Sequence, residues 1–418
     1  MKEILGLLLK EFHDTFPRSI IQRQASLKVL PGKISAVIGM RRVGKTYFLY
    51  QKIQQLMSEG VDSKSIFYLN LEDDRLPEFQ PGMLAQLVDG FYSLYPENHS
   101  RHCWIFIDEV QAAPDWSKVL RRLLDTKNAT LVISGSSAKL LSKEIATNLR
   151  GRAIATEVWP LSLYEYANAR KYTLPDSAEP MSPKSKDQYL EFFDEYLFSG
   201  GFPEILKFEK MDRKQIHQDY VSVAILRDIL ERHEIKNEQV LRSQIKFLLT
   251  NVGKPVSFNK LFNTLKSQGH SLGKTTLYEY FDYISDSYLS FLVPLYTESL
   301  RKQESNQRKA YSIDTGLSWS HMIGISENRG RLFENLVYLD LRRHQQEVHY
   351  YLTETGTEVD FAARSFAGDL RLLQVCADIE DEETRERETS ALSQAESELK
   401  TKGMLVTPEN YLSFLSSL

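Results

Sequence analysis

The sequence is poor in cysteine, in net charge and in long hydrophobic runs. Its 418 residues include two cysteines, Cys103 and Cys376, which lie far apart between apolar neighbours. They provide neither a disulfide framework nor a zinc-ligand spacing, so a reducing, cytoplasmic environment is expected. The formal charge of -4 at pH 7 gives no general attraction for nucleic acid. Any surface that binds a polyanion must therefore be local.

No stretch approaches the roughly 18 consecutive apolar residues that a membrane-spanning helix requires. The first residues, MKEILGLLLKEF, are interrupted by Glu3, Lys10 and Glu11 and are followed by no small-residue cleavage site, so no signal peptide and no membrane partner are expected. The composition is 42% hydrophobic and 26% charged, which is ordinary for a globular protein. A chain of this length is expected to fold into two or three domains.

Residues 35–50, SAVIGMRRVGKTYFLY, contain the pattern G-x-x-x-x-G-K-[ST] between a predicted strand and a predicted helix. In that context the glycines turn backbone N–H groups toward a β-phosphate, Lys45 extends toward the β- and γ-phosphates, and Thr46 is placed to bind magnesium. The alternative is that the pattern occurs by chance in an ordinary loop, which the flanking strand and helix make less favoured. The predicted residues for binding ATP with Mg²⁺ are Gly39, Arg42, Val43, Gly44, Lys45 and Thr46.

A second apolar strand, CWIFIDEV at residues 103–110, ends in two acids. Asp108 is predicted to bind the magnesium ion through water, and Glu109 to orient the attacking water. The alternative is a strand capped by two solvated acids. Further strands are predicted at 65–73 and 129–137, and Ser134 or Ser136 is a candidate sensor of the γ-phosphate, although such serines are often turn residues. The alternation of strands and helices predicts an α/β, doubly wound parallel sheet.

The order of several motifs gives a family resemblance over nearly the whole chain: GMRRVGKT, YLNLEDDR, IFIDEVQ, ISGSSAKLLSKEIATNLRGRA, WPLSLYEY and SGGFPE. The chain resembles a widespread prokaryotic family of AAA-type P-loop ATPases with a C-terminal domain of unknown function similar to restriction-endonuclease-like folds. The resemblance implies a homo-oligomer, such as a hexameric ring, with ATP bound between subunits. An arginine from the neighbouring subunit would complete each site, and Arg150 and Arg152 are the candidates, with a surface arginine as the alternative.

The middle of the chain is expected to link this ATPase core to further modules. Residues 171–188 are rich in proline, serine and charge and predict an exposed linker, followed by a long amphipathic helix of a helical lid. Arg227 in that helix could contact nucleotide or form a surface ion pair. Residues 240–298 predict three helices and a strand, the order of a winged helix. Its wing would carry Arg301, Lys302, Arg308 and Lys309, which could meet DNA phosphates or serve a protein-docking module.

The last predicted domain resembles a nuclease pattern in which a helix acid, a strand aspartate and a following E-x-K hold a divalent metal. Glu334, Glu358 and Asp360 match or lie near the acidic positions, but Gln374 replaces the second acid and Cys376 the lysine. We therefore expect a nuclease-like domain that binds DNA or subunits without cleavage. A lysine displaced to another position, such as Lys400 or Lys402, would overturn that expectation.

Together the patterns predict an ATP-hydrolysing oligomer that binds and remodels or translocates DNA, with branched or junction DNA as a candidate substrate. The alternatives are an ATP-dependent signalling switch that acts on protein partners and an ATP-gated nuclease. The predicted domains are an ATPase core at 1–165, a linker and helical lid at 166–238, a winged helix at 239–318 and a restriction-endonuclease-like α/β domain at 319–418.

Overall fold

The computed structural model describes residues 2–17, 19–135, 149, 151–177, 179–324, 326–378 and 382–418. The chain forms two compact units, Met1–Trp159 and Pro160–Leu418. The first unit thus ends slightly before the predicted boundary at residue 165. The three domains predicted beyond that point belong to a single compact unit, and their individual boundaries stay predictions.

A five-stranded parallel sheet with the strand order β2-β3-β4-β1-β5 forms the centre of the first unit, as the sequence predicted for an α/β core. All five residues of β1 and nearly all of β3 are buried, as expected for strands covered on both faces of a sheet. The elements of this unit, in chain order, are α1 (Lys2–Thr15), β1 (Ile34–Ile38), α2 (Lys45–Ser58), β2 (Ile66–Asn70), α3 (Met83–Leu94), β3 (Cys103–Asp108), α4 (Trp116–Thr126), β4 (Ala129–Gly135) and β5 (Ala153–Glu157).

The parallel register brings the carboxyl ends of four strands to one edge of this sheet. Ile38 at the end of β1 pairs with Gly135 of β4, and Asn70 at the end of β2 pairs with Asp108 of β3. The loop from β1 to α2 begins at the same edge. Because ligands of open parallel sheets bind beyond the carboxyl ends of the strands, the fold places the predicted nucleotide residues at the expected position.

The second unit begins with helices. The predicted linker at 171–188 is helical from Pro183, because the Ser182 side chain accepts a hydrogen bond from the Ser185 N–H and caps the helix. The long helix predicted after it continues beyond Ala224 as a π-helical stretch, Ile225–Leu230. These helices are α5 (Leu163–Ala169), α6 (Pro183–Ser199), α7 (Lys210–Ala224) and α8 (Glu238–Thr250).

A three-stranded antiparallel sheet with the order β6-β8-β7 follows, together with three helices. The predicted wing hairpin is partly helical, because the Ser299 side chain accepts from the Lys302 N–H and starts a short helix. These elements are β6 (Pro255–Val256), α9 (Phe258–Ser267), α10 (Lys274–Asp286), β7 (Ser290–Val293), α11 (Leu300–Ser305) and β8 (Arg308–Ser312).

The C-terminal part contains a four-stranded sheet with the order β12-β11-β10-β9, in which β11 and β12 are parallel and the other pairs antiparallel. Ala362 and Leu372 of this sheet pack with Leu392 and Ala395 in one apolar cluster. The elements are α12 (Thr315–Trp319), α13 (Ser326–Arg343), β9 (Glu347–Leu352), β10 (Glu358–Arg364), β11 (Leu370–Val375), α14 (Glu382–Leu399), β12 (Gly403–Val406) and α15 (Tyr411–Ser416). Within the described ranges, no helix has the length and apolar character needed to cross a membrane.

Candidate functional site

The loop between β1 and α2 has the backbone of a phosphate-binding turn. Arg42 and Gly44 have positive φ angles of 67° and 97°, and the left-handed Gly44 starts helix α2. Gly39 allows a close approach of the backbone, since a Cβ atom there would lie 2.3 Å from the carbonyl oxygen of Val158. The loop therefore reaches the N-terminus of α2 in the conformation that presents N–H groups to an anion.

Lys45 lies inside this loop and is 5% exposed. Its ammonium donates hydrogen bonds to the carbonyls of Gly39 and Met40 at 3.2 and 3.1 Å. The loop is also anchored from outside the motif, because the guanidinium of Arg23 donates to the carbonyl of Val43 at 2.9 Å and to that of Trp159. The chain thus holds the ammonium at the start of the helix, where a phosphate would lie.

Asp108, at the end of β3, is fully buried and accepts hydrogen bonds from three hydroxyl groups. Thr46 Oγ1 donates to Asp108 Oδ2 at 2.7 Å, Tyr68 OH donates to the same oxygen at 3.1 Å, and Ser134 Oγ donates to Oδ1. Burial raises the pKa of Asp108, while the hydrogen bonds from Ser134 and Thr46 and the charge of Lys45 lower it. Three elements thus converge on one carboxylate beside the loop.

Glu109 follows Asp108 in a left-handed conformation, with φ at 52°. Its N–H donates to Ser134 Oγ at 3.1 Å, and Gln111 Nε2 donates to Glu109 Oε2 at 2.5 Å. Glu72 is close enough to Glu109 for their charges to interact: burial is the main cause that raises the pKa of Glu72, and the Glu109 charge is the second. The second acid is thus held by a hydrogen bond from a nearby side-chain amide, on a strained backbone of the kind found at functional sites.

This donor set fits a magnesium–nucleotide complex. Thr46 and Asp108 supply the oxygen ligands that Mg²⁺ prefers, directly or through water, and their side chains are already hydrogen-bonded to each other. Lys45 and the N-terminus of α2 supply the positive groups that phosphates require. The predicted nucleotide residues and the acidic pair are therefore brought together in the first unit.

Arg152, the predicted arginine of the neighbouring subunit's site, lies at the other edge of the sheet. It directly precedes β5, whose first residue pairs with Ile34 at the start of β1. Its guanidinium forms an ion pair with Asp125 at 2.7 Å, and the two side chains are 45% and 59% exposed. The alternative candidates Arg150 and Ser136 lie outside the described residues.

In the second unit, a buried lysine lies among the three carboxylates that the nuclease-like pattern predicted. Lys309 of β8 is 0% exposed, and its Nζ lies 2.5 Å from Glu334 Oε1, 2.8 Å from Glu358 Oε1 and 3.1 Å from Asp360 Oδ1. We call these four residues the Lys309 cluster. Tyr311 OH also donates to Glu334 at 2.6 Å. The expectation that Lys309 meets DNA phosphates on a wing is wrong, because its side chain points inward along β8.

The charges of the Lys309 cluster compensate one another only in part. Burial would lower the pKa of Lys309, but the carboxylates, Glu334 foremost, hold it well above its usual value. Burial raises the pKa of Glu334 to about 8, with help from Asp360 and against the effect of the Lys309 charge. One ammonium thus faces three carboxyl groups.

Gln374 and Cys376 do not complete a metal site. Gln374 Oε1 accepts from the N–H of Asp360 at 3.1 Å, and its amide group donates to Glu388, so both ends of the side chain are engaged. Cys376 is buried, and its thiol donates to the carbonyl of Asp378 at 3.1 Å. Among the residues that the structure describes, no group of three or more His, Cys, Asp or Glu side chains is arranged to hold a metal ion.

The positively charged residues predicted to contact ligands from the rest of the second unit are at the surface. Arg301, Lys302 and Arg308 are exposed; Lys274, which was not among the predicted contacts, begins α10 in an exposed position. Arg227 forms an exposed ion pair with Glu231 at 2.7 Å, which is the second of the two roles considered for it.

Three residues of these sites were not identified from the sequence, and Lys309 was identified only as a wing residue. Tyr68 lies inside a strand, where the pattern indicates only alternating burial, and Arg23 lies in a segment without regular pattern. Gln111 follows the acidic pair closely, and this position beside Glu109 is the signal that the sequence offered. The contacts of Tyr68, Arg23 and Lys309 join residues far apart in the chain.

Comparison with known families matches two segments of the chain. Residues 31–167 match the model of an AAA domain. Residues 190–329 match a domain of unknown function, DUF8612. The AAA match includes the phosphate loop, the acidic pair and Arg152, and so covers the candidate nucleotide site.

Two curated relatives are similar over most of their lengths. The uncharacterized protein MJ1544 of Methanocaldococcus jannaschii is 34% identical over 385 residues, which cover 91% of this chain and 82% of the relative. An uncharacterized protein of Haemophilus influenzae is 30% identical, with 83% of each chain covered.

Solved structures give weaker likenesses. The Walker-type ATPase PABY2304 of Pyrococcus abyssi is 13% identical with a TM-score of 0.44, covering 77% of this chain and 95% of the other. The Orc1 protein of Aeropyrum pernix, solved in complex with DNA, is 12% identical with a TM-score of 0.30, covering 79% and 91%.

Proposed function

We propose that this chain, which belongs to the same family as MJ1544 and contains an AAA domain, is an ATPase that works as a homo-oligomer and acts on DNA. In this proposal it hydrolyses ATP with Mg²⁺ and uses the energy to bind and remodel or translocate DNA, with branched or junction DNA as a candidate substrate. The biological reaction would be the conversion of ATP and water to ADP and phosphate.

One observation carries the ATPase part of the proposal: the hydrogen bond from Thr46 to Asp108 at 2.7 Å, directly beside Lys45. It joins the phosphate loop to the acidic strand, which are 62 positions apart in the sequence. Bound Mg²⁺ would neutralise charge that develops on the phosphate oxygens. Thr46 and Asp108 would hold it, and Lys45 would bind the β- and γ-phosphates.

In this mechanism Glu109 orients and polarises the attacking water. Its carboxylate lies within hydrogen-bond distance of Gln111, which fixes the direction of one oxygen. Ser134 touches Asp108 and the N–H of Glu109, so a change at the γ-phosphate could be transmitted through one hydroxyl group to both acids. These are the roles that positioned acid–base groups perform in phosphoryl transfer.

We assign Arg152 to the site of a neighbouring subunit. Arg152 lies beside the start of β1, and the phosphate loop follows the end of this five-residue strand. At about 3.3 Å per residue, the two are about 16 Å apart, too far for contact within one chain. Its ion pair with Asp125 is exposed, so it can be exchanged for a phosphate at low cost. This assignment makes hydrolysis dependent on assembly.

For DNA contact we propose the module formed by α8 to β8, interpreted as a winged helix, with α10 as the recognition helix. The exposed Lys274, Arg301, Lys302 and Arg308 are the residues available for phosphates. The C-terminal α/β part is proposed to bind DNA or subunits without cleaving DNA.

A second candidate, the ATP-gated nuclease, is favoured by one observation. Lys309 brings an ammonium to Glu334, Glu358 and Asp360, so the cation that the sequence pattern lacked comes from another strand. Incubation of supercoiled and branched DNA with Mg²⁺ or Mn²⁺ tests it: cleavage that disappears in Asp360→Asn would establish the nuclease.

The experiment that tests the main proposal measures ATP hydrolysis with and without linear, forked and four-way-junction DNA at two salt concentrations. Stimulation that depends on DNA structure and declines with salt supports a DNA-directed ATPase. Hydrolysis that is unchanged by every DNA would favour the protein-directed signalling switch, and no hydrolysis in any condition would refute the ATPase.

A further inference from the structure

Tyr68 lies on β2, next to the strand that ends in Asp108, and its hydroxyl contacts the carboxylate assigned to magnesium. It pairs with Phe106 of β3, two residues before the pair Asn70–Asp108. Side chains two residues apart on a strand lie on the same face, so Tyr68 and Asp108 share one face of the sheet. Tyr68 OH lies 3.1 Å from Asp108 Oδ2.

The hydroxyl of Tyr68 donates a hydrogen bond to Asp108 from a buried position, since Tyr68 is 7% exposed. The OH of Tyr50 on α2 in turn donates to Tyr68 OH at 3.1 Å. The two tyrosines thus form a directed chain of hydrogen bonds that ends on Asp108 Oδ2.

The ring of Tyr68 is fixed by aromatic contacts as well. Phe12 of α1 stacks on it with ring centroids 4.7 Å apart, and Tyr50 lies 5.1 Å away. Such contacts restrict the ring and therefore the position of its hydroxyl oxygen. The hydroxyl group is thus held beside Asp108.

We infer that Tyr68 is a positioning residue for the magnesium-binding carboxylate of Asp108. The inference rests on the proposed function, since it assumes that Mg²⁺ binds at Thr46 and Asp108. Oδ2 accepts from Tyr68 and from Thr46, and Ser134 donates to Oδ1, so the carboxylate is held by donors on both oxygens. Without the Tyr68 hydroxyl, Oδ2 keeps one donor, and the carboxylate can rotate away from the orientation that the ion requires.

The test is the affinity of the full-length protein for Mn²⁺, measured by electron paramagnetic resonance in the presence of saturating ADP. Tyr68→Phe keeps the ring and removes only the hydroxyl. Loss of one hydrogen bond to a charged group predicts about tenfold weaker Mn²⁺ binding. ADP affinity in EDTA should stay unchanged, because the phosphate loop is not altered.

Tyr95→Phe is the matched control, since it removes a tyrosine hydroxyl from the same unit outside the Asp108 site. Tyr50→Phe is the second variant: it leaves Tyr68 in place and should weaken Mn²⁺ binding by a smaller factor. In steady-state assays, Tyr68→Phe should require about tenfold more Mg²⁺ for half-maximal hydrolysis while kcat at saturating Mg²⁺ stays within about twofold.

Wild-type Mn²⁺ affinity in Tyr68→Phe would overturn the inference, as would an equal loss in Tyr95→Phe. If the wild-type protein binds Mn²⁺ with ADP but hydrolyses no ATP, the proposed ATPase fails, and the Mn²⁺ comparison still decides the role of Tyr68. If the wild-type protein binds no Mn²⁺ with ADP, the metal site and the inference fail together.

Discussion

Replacing Lys309 by methionine keeps most of the side-chain volume and removes the ammonium from the Lys309 cluster. Three carboxyl groups then face one another in a site where Glu334 and Asp360 are nearly buried. Removing one partner from a buried ion pair costs about 3–5 kcal/mol of unfolding free energy, because the remaining charge is left uncompensated. We expect a loss of that size at pH 8.5.

The loss should depend on pH, with a sign that follows from proton binding. Burial raises the pKa of Glu334 from 4.5 to about 8, so between these values the folded state binds more protons than the unfolded state. The free energy of unfolding therefore falls as pH rises through this window, at about 1.4 kcal/mol per pH unit at most. In the variant the Lys309 charge no longer lowers the pKa of Glu334, so the difference from wild type grows from pH 5 to pH 8.5.

Urea unfolding at pH 5.5 and 8.5, combined with hydrogen exchange of peptides from β8 and β10, measures the effect. Lys302→Met is the matched control, because Lys302 is an exposed lysine of the same unit. Adding Glu334→Gln to Lys309→Met removes one negative charge and should recover part of the stability at pH 8.5. A loss below about 1 kcal/mol, or one that does not change with pH, would refute the conclusion that the Lys309 ammonium compensates the charge of the buried carboxyl groups.

The Lys309→Met variant also tests whether the ammonium keeps metal ions away from the three carboxyl groups. The Lys309 Nζ lies 2.5–3.1 Å from an oxygen of each carboxyl group, so it competes with a metal ion for these oxygens. With methionine there, the three oxygens face a position without a positive charge. We expect Lys309→Met to bind Mn²⁺ more tightly than wild type in calorimetric titrations without nucleotide, whereas equal binding that is lost in Asp360→Asn would instead identify a metal site in the wild-type protein.

The remaining predictions concern the first unit. Lys45→Ala should weaken ATP binding at least tenfold and abolish turnover, measured by fluorescent-nucleotide titration and phosphate release. Glu109→Gln should retain ATP binding and trap unhydrolysed ATP, whereas normal turnover would contradict its role in orienting water. Arg152→Ala should lower turnover about a thousandfold with ATP affinity largely kept. Asp125→Ala breaks the same ion pair without removing the arginine and should leave turnover unchanged; an equal loss in both variants would mean that the ion pair, not the arginine, matters.

Much of the first unit could be predicted because its signals are local. A buried strand, a glycine-containing loop and a helix follow one another within residues 34–58, and the apolar strand 103–108 ends in its acids. Such patterns follow from the spacing of residues a few positions apart. The meeting of Thr46 and Asp108 then follows from parallel pairing, which aligns the carboxyl ends of strands.

The contacts that the sequence did not reveal join distant residues. Lys309 was expected at the surface because Arg308, Lys309 and their neighbours form a charged stretch, yet alternate residues of a strand point to opposite sides, and Arg308 takes the exposed one. Lys309 reaches Glu358 and Asp360, which are 49 and 51 positions away. No local pattern indicates that a lysine inside a strand will find three carboxyl partners, so its burial could be explained only after the fold was known.

The Lys309 cluster also bears on the DNA contacts proposed for the second unit. The Lys309 ammonium is paired with three carboxyl groups, so the cluster has no excess positive charge. Such a group of side chains does not attract a phosphodiester. The proposed contacts with the DNA backbone would therefore come from exposed basic residues elsewhere in the unit, and Arg301, Lys302 and Arg308 lie on α11 and β8, the strand that sends Lys309 inward. One strand thus separates the two charges: Arg308 outward, where it can attract phosphates, and Lys309 inward, where the carboxylates already hold it.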